Sequence, residues 1–365
     1  MTRLSHLTRR SLLKNSDYKM RILYGVCGDG FGHSSRAMEI ISHLQKKGHK
    51  VLVFTFGQAT SVLKNAGFRV VEVEGLELIF KNNKPSLKET IINNSGRICR
   101  NLIDFYRIKK IVDNFSPDIC ISDMETVVPV VSFFYSLPLV SIDNQHIIAH
   151  LKMKVPKGYK KDFYLTKIGI SGLLKADAFV ILSFLKKRTR KENVYIVNPI
   201  LRKEILLLKP KIKDKVLVYQ TKPDKRLIKI LRKIPEQFVI YGYNMQKKEG
   251  NLEFRKVQDK FFENLSDCKA IIATSGFSLI SEALYLGKPY FAIPLKQFEQ
   301  ELNALFVMQS GYGEYSEKPS KKKIEHFLAN LDFYRKKIKR HKINPKEAFA
   351  VIDRVLKKVK KEYYI

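Results

Sequence analysis

The strongest constraint on this chain is a rhythm. Short apolar runs alternate with stretches of helical periodicity, and the whole alternation occurs twice. In the first series the runs are residues 21–26, 51–54, 70–73, 118–122, 139–142, 178–182 and 195–197. Between them, residues 34–47 carry Met38, Ile41 and Leu44 at helical spacing before a stop at Gly48, residues 60–65 end at Gly67, and residues 126–135 read as a further helix. Residues 86–114 form a long basic amphipathic stretch broken near Gly96. The second series follows Pro199, with runs at 216–219, 238–241, 270–273 and 290–293 and helices over 224–233, 260–266, 278–286 and 300–310, then two terminal helices. Runs this short and apolar, separated by helices, indicate parallel sheets covered on both faces. The expected fold is α/β: two facing Rossmann-like, doubly wound domains with a cleft between them. The expected boundaries are a loose extension over 1–19, a first domain over 20–200, a linker over 201–215 around Pro210, a second domain over 216–335, and basic C-terminal helices over 336–365. Ligands bind such sheets outside the carboxyl ends of the strands, so the loops after the strands hold the candidates for chemistry.

Composition narrows the field. A chain of 365 residues accommodates two ordinary cores, and 45% hydrophobic content excludes a disordered protein. Lys and Arg number 68 against 35 Asp and Glu, a net charge of +33. Such a surface attracts nucleic acid, anionic lipid or phosphorylated substrates, and composition does not choose among them. Cys27, Cys99, Cys120 and Cys268 are far apart and form no CxxC pair, which argues against a zinc site or a disulfide framework and for a reducing cytoplasm. The most apolar stretch, residues 127–142, contains Pro129 and Pro138 and falls short of the ~20 residues of a spanning helix. Residues 1–19 have the basic composition of a transit peptide but no apolar segment, and are read as an extension before the first strand.

Two glycine-rich turns stand out. The first is Gly28-Asp29-Gly30-Phe31-Gly32-His33-Ser34-Ser35-Arg36, directly after the first strand and opening a helix. Its spacing is not the dinucleotide G-x-G-x-x-G, and Thr55-Phe56-Gly57 supplies no acid at the end of strand two, which disfavours a nicotinamide enzyme. His33 sits on the first helical turn, where the helix dipole favours a neutral imidazole able to accept a proton. A capping or packing role is the plainer alternative. Asp123 and Glu125 follow one strand, Asp143 and His146 another, and all reach the same sheet edge as His33. Asp123 either caps the helix that follows, orients the imidazole, or does both. The second turn is Ala273-Thr274-Ser275-Gly276-Phe277-Ser278, leading into an apolar helix. Its backbone N–H groups at a helix start suit a pyrophosphate. Glu282, one turn along, can accept two hydrogen bonds from a vicinal diol such as ribose. Glu299 and Gln300 lie at a loop-to-helix junction on the same edge.

The series Ser275-Gly276, Glu282, Gly287-Lys288-Pro289, Pro294, Gln300 and Asn303-Ala304 resembles the donor-binding signature of GT-B glycosyltransferases. UDP-glucuronosyltransferases and the lipid II N-acetylglucosaminyltransferase are the most similar members. The pieces Gly32-His33-Ser34-Ser35-Arg36, Ser122-Asp123-Met124-Glu125 and Asp143-Asn144-Gln145-His146 also resemble an MJ-type archaeal and bacterial branch. The resemblance spans residues 20–330 and is most specific over 274–304. It implies that Ser275, Gly276, Phe277 and Ser278 meet phosphate, Glu282 the ribose, and Glu299 and Gln300 the sugar, with Asn303 and Thr221 completing the donor side. Around the candidate bases His33 and Asp123 it implies an acceptor side made of Gly30, Gly32, Arg36, Glu125, Asp143 and His146. Tyr219-Gln220-Thr221-Lys222 departs from the family by lacking a glycine-serine loop.

The activity so implied is transfer of a sugar from a UDP-sugar to a hydroxyl by direct displacement. Backbone N–H groups would stabilise the leaving diphosphate. No D-x-D pair ends a strand, so the expectation is no metal and no cofactor. Basic residues among apolar ones over 81–110 and 152–167 suit an anionic membrane surface and a lipid-linked acceptor, or simply a solvated basic face. The expected location is the cytoplasm, peripheral on the inner face of the cell membrane. Competing readings are a UDP-sugar 2-epimerase, an idle nucleotide-sugar-binding scaffold, and a nucleic-acid-binding protein; the last leaves the Gly276 turn unexplained, and no nucleic acid is expected as a partner.

Overall fold

The computed structural model describes residues 19–28, 30–74, 80–81, 84–85, 95, 104–152, 155, 158–173, 175–185 and 187–364. The extension at 1–18, Cys99 and most of the basic stretch 86–103 lie outside the described residues. The first lobe is built on strands β1 (Arg21–Val26), β2 (Lys50–Thr55), β3 (Val70–Glu72), β6 (Ile119–Asp123), β7 (Leu139–Asp143), β8 (Ala178–Leu182) and β9 (Val194–Val197). They form one sheet in the order β3-β2-β1-β6-β7-β8-β9, every pair parallel. A ribbon of β4 (Phe80–Lys81) and β5 (Lys84–Pro85) stands apart. The second lobe carries β10 (Val216–Tyr219), β11 (Phe238–Tyr241), β12 (Lys247–Glu249), β13 (Leu252–Phe254), β14 (Ala270–Ala273), β15 (Tyr290–Ala292) and β16 (Gly313–Tyr315). Their order is β12-β13-β11-β10-β14-β15-β16, parallel except for the β12–β13 pair.

The central strands read as unbroken apolar runs because helices cover both their faces: β6, β7 and β8 are buried at every residue. The helix Phe31–Lys46 turns Ala37, Ile40, Ile41 and Leu44 into the first core and stops at Gly48, whose φ of +83° is a left-handed helix end. Several elements differ from the sequence expectation, the ribbon β4–β5 among them. The charged edge hairpin β12–β13 and the three-residue β16 lie where no strand is expected. Three helices, not two, also end the chain, and the last, Glu347–Tyr364, returns to the first lobe. There Ala348, Ile352, Val355, Leu356 and Val359 join the first core, on one stripe of helical spacing. Its neighbour Lys360, one of the cations of the basic C-terminal helices, is buried 3.4 Å from Asp118.

One apolar cluster joins the lobes. It runs from Ile147, Phe163, Ile181 and Phe184 of the first into Leu217, Ile271, Ile280 and Phe298 of the second. The ring of Phe184 lies 5.6 Å from that of Phe277. At roughly 1.5–3 kcal/mol for each fully buried large aliphatic side chain, this seam holds the two lobes face to face.

Candidate active site

Each sheet has one place where the strand order reverses, and ligands of doubly wound sheets bind there. In the first lobe it lies between β1 and β6, in the second between β10 and β14. The glycine turns leave those same strand ends. They also face each other: a methyl group added to Gly32 would come within 3.2 Å of Ser278 Oγ.

The first-lobe turn is dense in charge. Gly30 caps the helix Phe31–Lys46 with φ +80°, a conformation L side chains rarely adopt. His33, on the first turn, brings Nδ1 to 2.8 Å from Asp123 Oδ1. Arg36, one turn on, clamps the same carboxylate through Nε (2.6 Å) and Nη2 (2.5 Å), and donates from Nη1 to Asn144 Oδ1 (2.8 Å). Burial pushes the Asp123 carboxyl up, but the charges and hydrogen bonds of Arg36 and His33 outweigh it and hold it below its ordinary value. An ionised carboxylate only accepts hydrogen bonds, so its bond to His33 needs the proton on Nδ1 and leaves the lone pair on Nε2. Arg36 Nη2 shares Oδ1 and lies 2.7 Å from Nδ1; a guanidinium only donates, so in this tautomer the two N–H groups converge on Oδ1 and do not bond to each other.

Of the residues expected on the acceptor side, Gly30 and Gly32 border the gap, whereas Arg36, Glu125, Asp143 and His146 lie beneath it as supports. Glu125 is fully buried and accepts from the Val127 and Val128 N–H groups, capping the helix Val127–Phe134. Gly25 makes room for it, since a Cβ there would come 2.5 Å from Glu125 Oε2. Burial raises the Glu125 carboxyl to about 7, partly opposed by those N–H bonds. Asp143 accepts from the His146 N–H (2.8 Å), the His146 ring (2.6 Å) and Ser141 Oγ (2.7 Å). These bonds fasten the loop that displays Asn144 and Gln145.

The second-lobe turn is neutral. Gly276 caps the helix Phe277–Tyr285 with φ −68°, an ordinary angle, and a Cβ on it would meet nothing within 4 Å. Ser275 Oγ donates to the Gln300 carbonyl (2.8 Å), and Asn303 Nδ2 to the Ser275 carbonyl (3.1 Å). Gln300 accepts from the Leu295 N–H (3.0 Å). Thr221 lies against Thr274, hydroxyl to hydroxyl at 3.0 Å, so the loop after β10 does reach the turn after β14. Glu282 is buried and bound bidentately by Arg202, Nε and Nη2 each at 2.6 Å, while the guanidinium also stacks on Phe262 at 4.7 Å. Burial pushes the Glu282 carboxyl up, and Arg202 opposes it. Lys288 turns inward to the carbonyls of Lys211 and Cys268.

Between the lobes runs a polar bridge that the sequence reading left out. Glu299 of the second lobe accepts from Asn144 Nδ2 (3.0 Å) and Gln145 Nε2 (3.5 Å), and Gln145 Nε2 also lies 3.3 Å from His33 Nε2. Arg202, which holds Glu282, was missed too. The motif Asp143-Asn144-Gln145-His146 was the available signal for the bridge. Among the described residues no group of three or more His, Cys, Asp or Glu side chains is placed to hold a metal ion.

Residues 20–332 match the sequence model of glycosyl transferase family 1. The chain belongs to that family. An uncharacterized glycosyltransferase of Methanosarcina mazei is 23% identical over 332 residues, covering 80% of this chain and 85% of that protein. The calicheamicin glycosyltransferase superimposes with a TM-score of 0.67 at 15% identity, over 95% of this chain and 98% of that one. The spinosyn rhamnosyltransferase in complex with thymidine diphosphate does so with a TM-score of 0.62 at 12% identity, over 92% and 99%. The glycosyltransferase is therefore a GT-B enzyme in fold, and its two lobes are the two Rossmann-like halves expected from the sequence.

Proposed function

We propose that this glycosyltransferase moves a sugar from a UDP-sugar to a hydroxyl acceptor without metal or cofactor. The observation that carries the reading is the apposition of the two turns. An imidazole fixed at Nδ1, with Nε2 touched only by Gln145, stands opposite a neutral helix mouth whose glycine neither backbone nor packing demands. A ligand pressed against Gly276 accounts for that glycine, and N–H groups at a helix start suit a diphosphate. The thymidine diphosphate held by the spinosyn rhamnosyltransferase supports a nucleoside diphosphate as the carrier.

In the reaction the acceptor oxygen attacks the anomeric carbon, its proton passes to His33 Nε2, and the bond to the diphosphate breaks with its electron pair. Asp123 fixes the imidazole and balances the charge it gains. The turn Gly276–Phe277–Ser278 receives the charge on the leaving diphosphate. Ser275, Asn303, Thr221 and Gln300 brace that turn, and Glu299 meets sugar hydroxyls. Glu282 takes the ribose through lone pairs that Arg202 leaves unused, since a carboxylate offers about four. Thermal shift against a panel of nucleotide-sugars tests the donor: UDP-sugars should raise Tm by mass action, and a panel without effect removes the reading. Calorimetry then tests Glu282→Gln, whose UDP affinity should fall; unchanged affinity removes the ribose assignment.

A lipid-linked acceptor at the cytoplasmic face of an anionic membrane fits the helix Lys160–Leu173. It buries Phe163 and Ile170 and exposes Tyr164, Leu165 and Ile168 between Lys160, Lys161 and Lys167. An apolar stripe flanked by cations is what a charged bilayer surface takes up. In the stretch before it in the chain, Arg107 and Lys109 are already paired with Asp104 and Asp113. Among the described residues no helix is long and apolar enough to cross a membrane. Tyr164→Glu with Ile168→Glu should release the protein from phosphatidylglycerol vesicles; equal flotation would end this part of the proposal.

A further inference from the structure

Resting on His33 as the base, we infer that Gln145 is a positioning residue that masks it until the donor sugar arrives. Gln145 Nε2 lies 3.3 Å from His33 Nε2 and 3.5 Å from Glu299 Oε2. Both partners are acceptors: a carboxylate always, and the imidazole nitrogen in the tautomer that Asp123 imposes. The amide therefore directs one N–H at the lone pair that must take the acceptor's proton and the other at Glu299. Nothing else can occupy that lone pair while Gln145 does, so Gln145 has to leave before transfer.

Its other end says what draws it away. Gln145 Oε1 is buried with no hydrogen-bond partner among the described residues. A buried carbonyl without a donor costs about as much as a lost hydrogen bond, and such groups mark the place of a missing partner. The missing partner is an O–H of the donor sugar. Glu299, the side chain assigned to that sugar, already touches Gln145. A sugar hydroxyl that donates to Glu299 displaces the weak 3.5 Å contact, and a neighbouring hydroxyl gives Oε1 its donor. The amide swings off His33, and the base is exposed only once a donor is seated. Water entering an empty cleft then finds the base covered. The Asp143–His146 clasp holds this loop in place, and Asn144, bonded to both Arg36 and Glu299, stays as the hinge side.

The test uses full-length protein carrying ¹⁵N-histidine, with the His33 Nε2 resonance identified by its loss in His33→Ala. In Gln145→Met, which keeps the length but has neither N–H nor C=O, that resonance should move at constant pH. The same move should occur in the wild type on adding UDP-glucose or UDP-N-acetylglucosamine, whichever raises Tm, and not on adding UDP. An unmoved resonance in Gln145→Met overturns the masking contact. A wild-type resonance that ignores a bound UDP-sugar overturns the release step. If no UDP-sugar binds at all, the donor reading and the release step both fall, while the Gln145→Met comparison still decides the mask.

Discussion

The two strand-end turns that face each other occupy equivalent places in their sheets and are built from opposite materials. Behind the first lie Asp123, Arg36, His33, Glu125, Asp143 and His146, five of them buried, tied by hydrogen bonds of 2.5–2.8 Å. The second turn offers hydroxyls, amides and the N–H groups of a helix start; its one buried carboxylate, Glu282, is already bound by Arg202. A site that handles a proton needs titratable groups whose environments push them apart. Asp123, held below its ordinary value in contact with His33, belongs to such a site, whereas Glu125, raised to about 7 by burial, caps a helix beneath it. A site that receives an anion needs fixed dipoles and space, which is what the Gly276 turn has. On the proposed function, the chemistry falls to the first lobe and the binding of the diphosphate to the second.

Removing the proton acceptor breaks the comparison most sharply. His33→Ala should lower turnover by about 10²–10⁴-fold, the usual reach of a general base, with UDP affinity nearly unchanged. Near-normal turnover would move the base to Asp123. Arg36→Met leaves the Asp123 carboxylate buried without its cation and should cost about 3–5 kcal/mol, read from urea midpoints. A cost below 1 kcal/mol would mean that the first-lobe charges are solvated and not the preorganised cluster described above. Glu125 gives a pH signature of its own. Its folded carboxyl binds a proton more tightly than the ordinary value of 4.5, so its contribution to stability is fully present below about 4.5 and is lost as the pH rises to about 7. The span corresponds to roughly 3 kcal/mol. Glu125→Gln should flatten the difference in urea midpoint between pH 5 and pH 8, and an unchanged slope would place the effect elsewhere. Asp123 runs the other way: its contribution is present above its unfolded value and is lost as the pH falls through the lower folded one.

The sheets were legible because burial on both faces leaves unbroken apolar runs; the expected runs 21–26, 178–182, 216–219, 238–241 and 270–273 coincide with β1, β8, β10, β11 and β14. The edge strand Lys247–Glu249 was not, because an exposed edge can be made of charge and carries no apolar signal. The glycine turns announced themselves through spacing. The pairings Arg202–Glu282 and Gln145–Glu299 did not, since they join residues 80 and 154 positions apart and exist only when the lobes meet. Glu125 read as a polar residue of the cleft edge, yet serves as a helix cap, because Gly25 on the neighbouring strand leaves a hole that only a folded sheet reveals.

The gentlest change sharpens the contrast between the lobes. At Gly276 neither φ nor a neighbouring atom requires glycine, so Gly276→Ala should cost, read from the urea midpoint, no more than the ~0.5–1 kcal/mol by which a helix N-cap prefers glycine to alanine. The new methyl group nonetheless stands where a diphosphate would approach the helix mouth, and UDP affinity by calorimetry should drop about tenfold, some 1.4 kcal/mol. Loss of affinity with stability kept marks a residue whose smallness serves a ligand and not the fold. Equal losses in both would make Gly276 a structural glycine, and the division of labour between the turns would lose its second half.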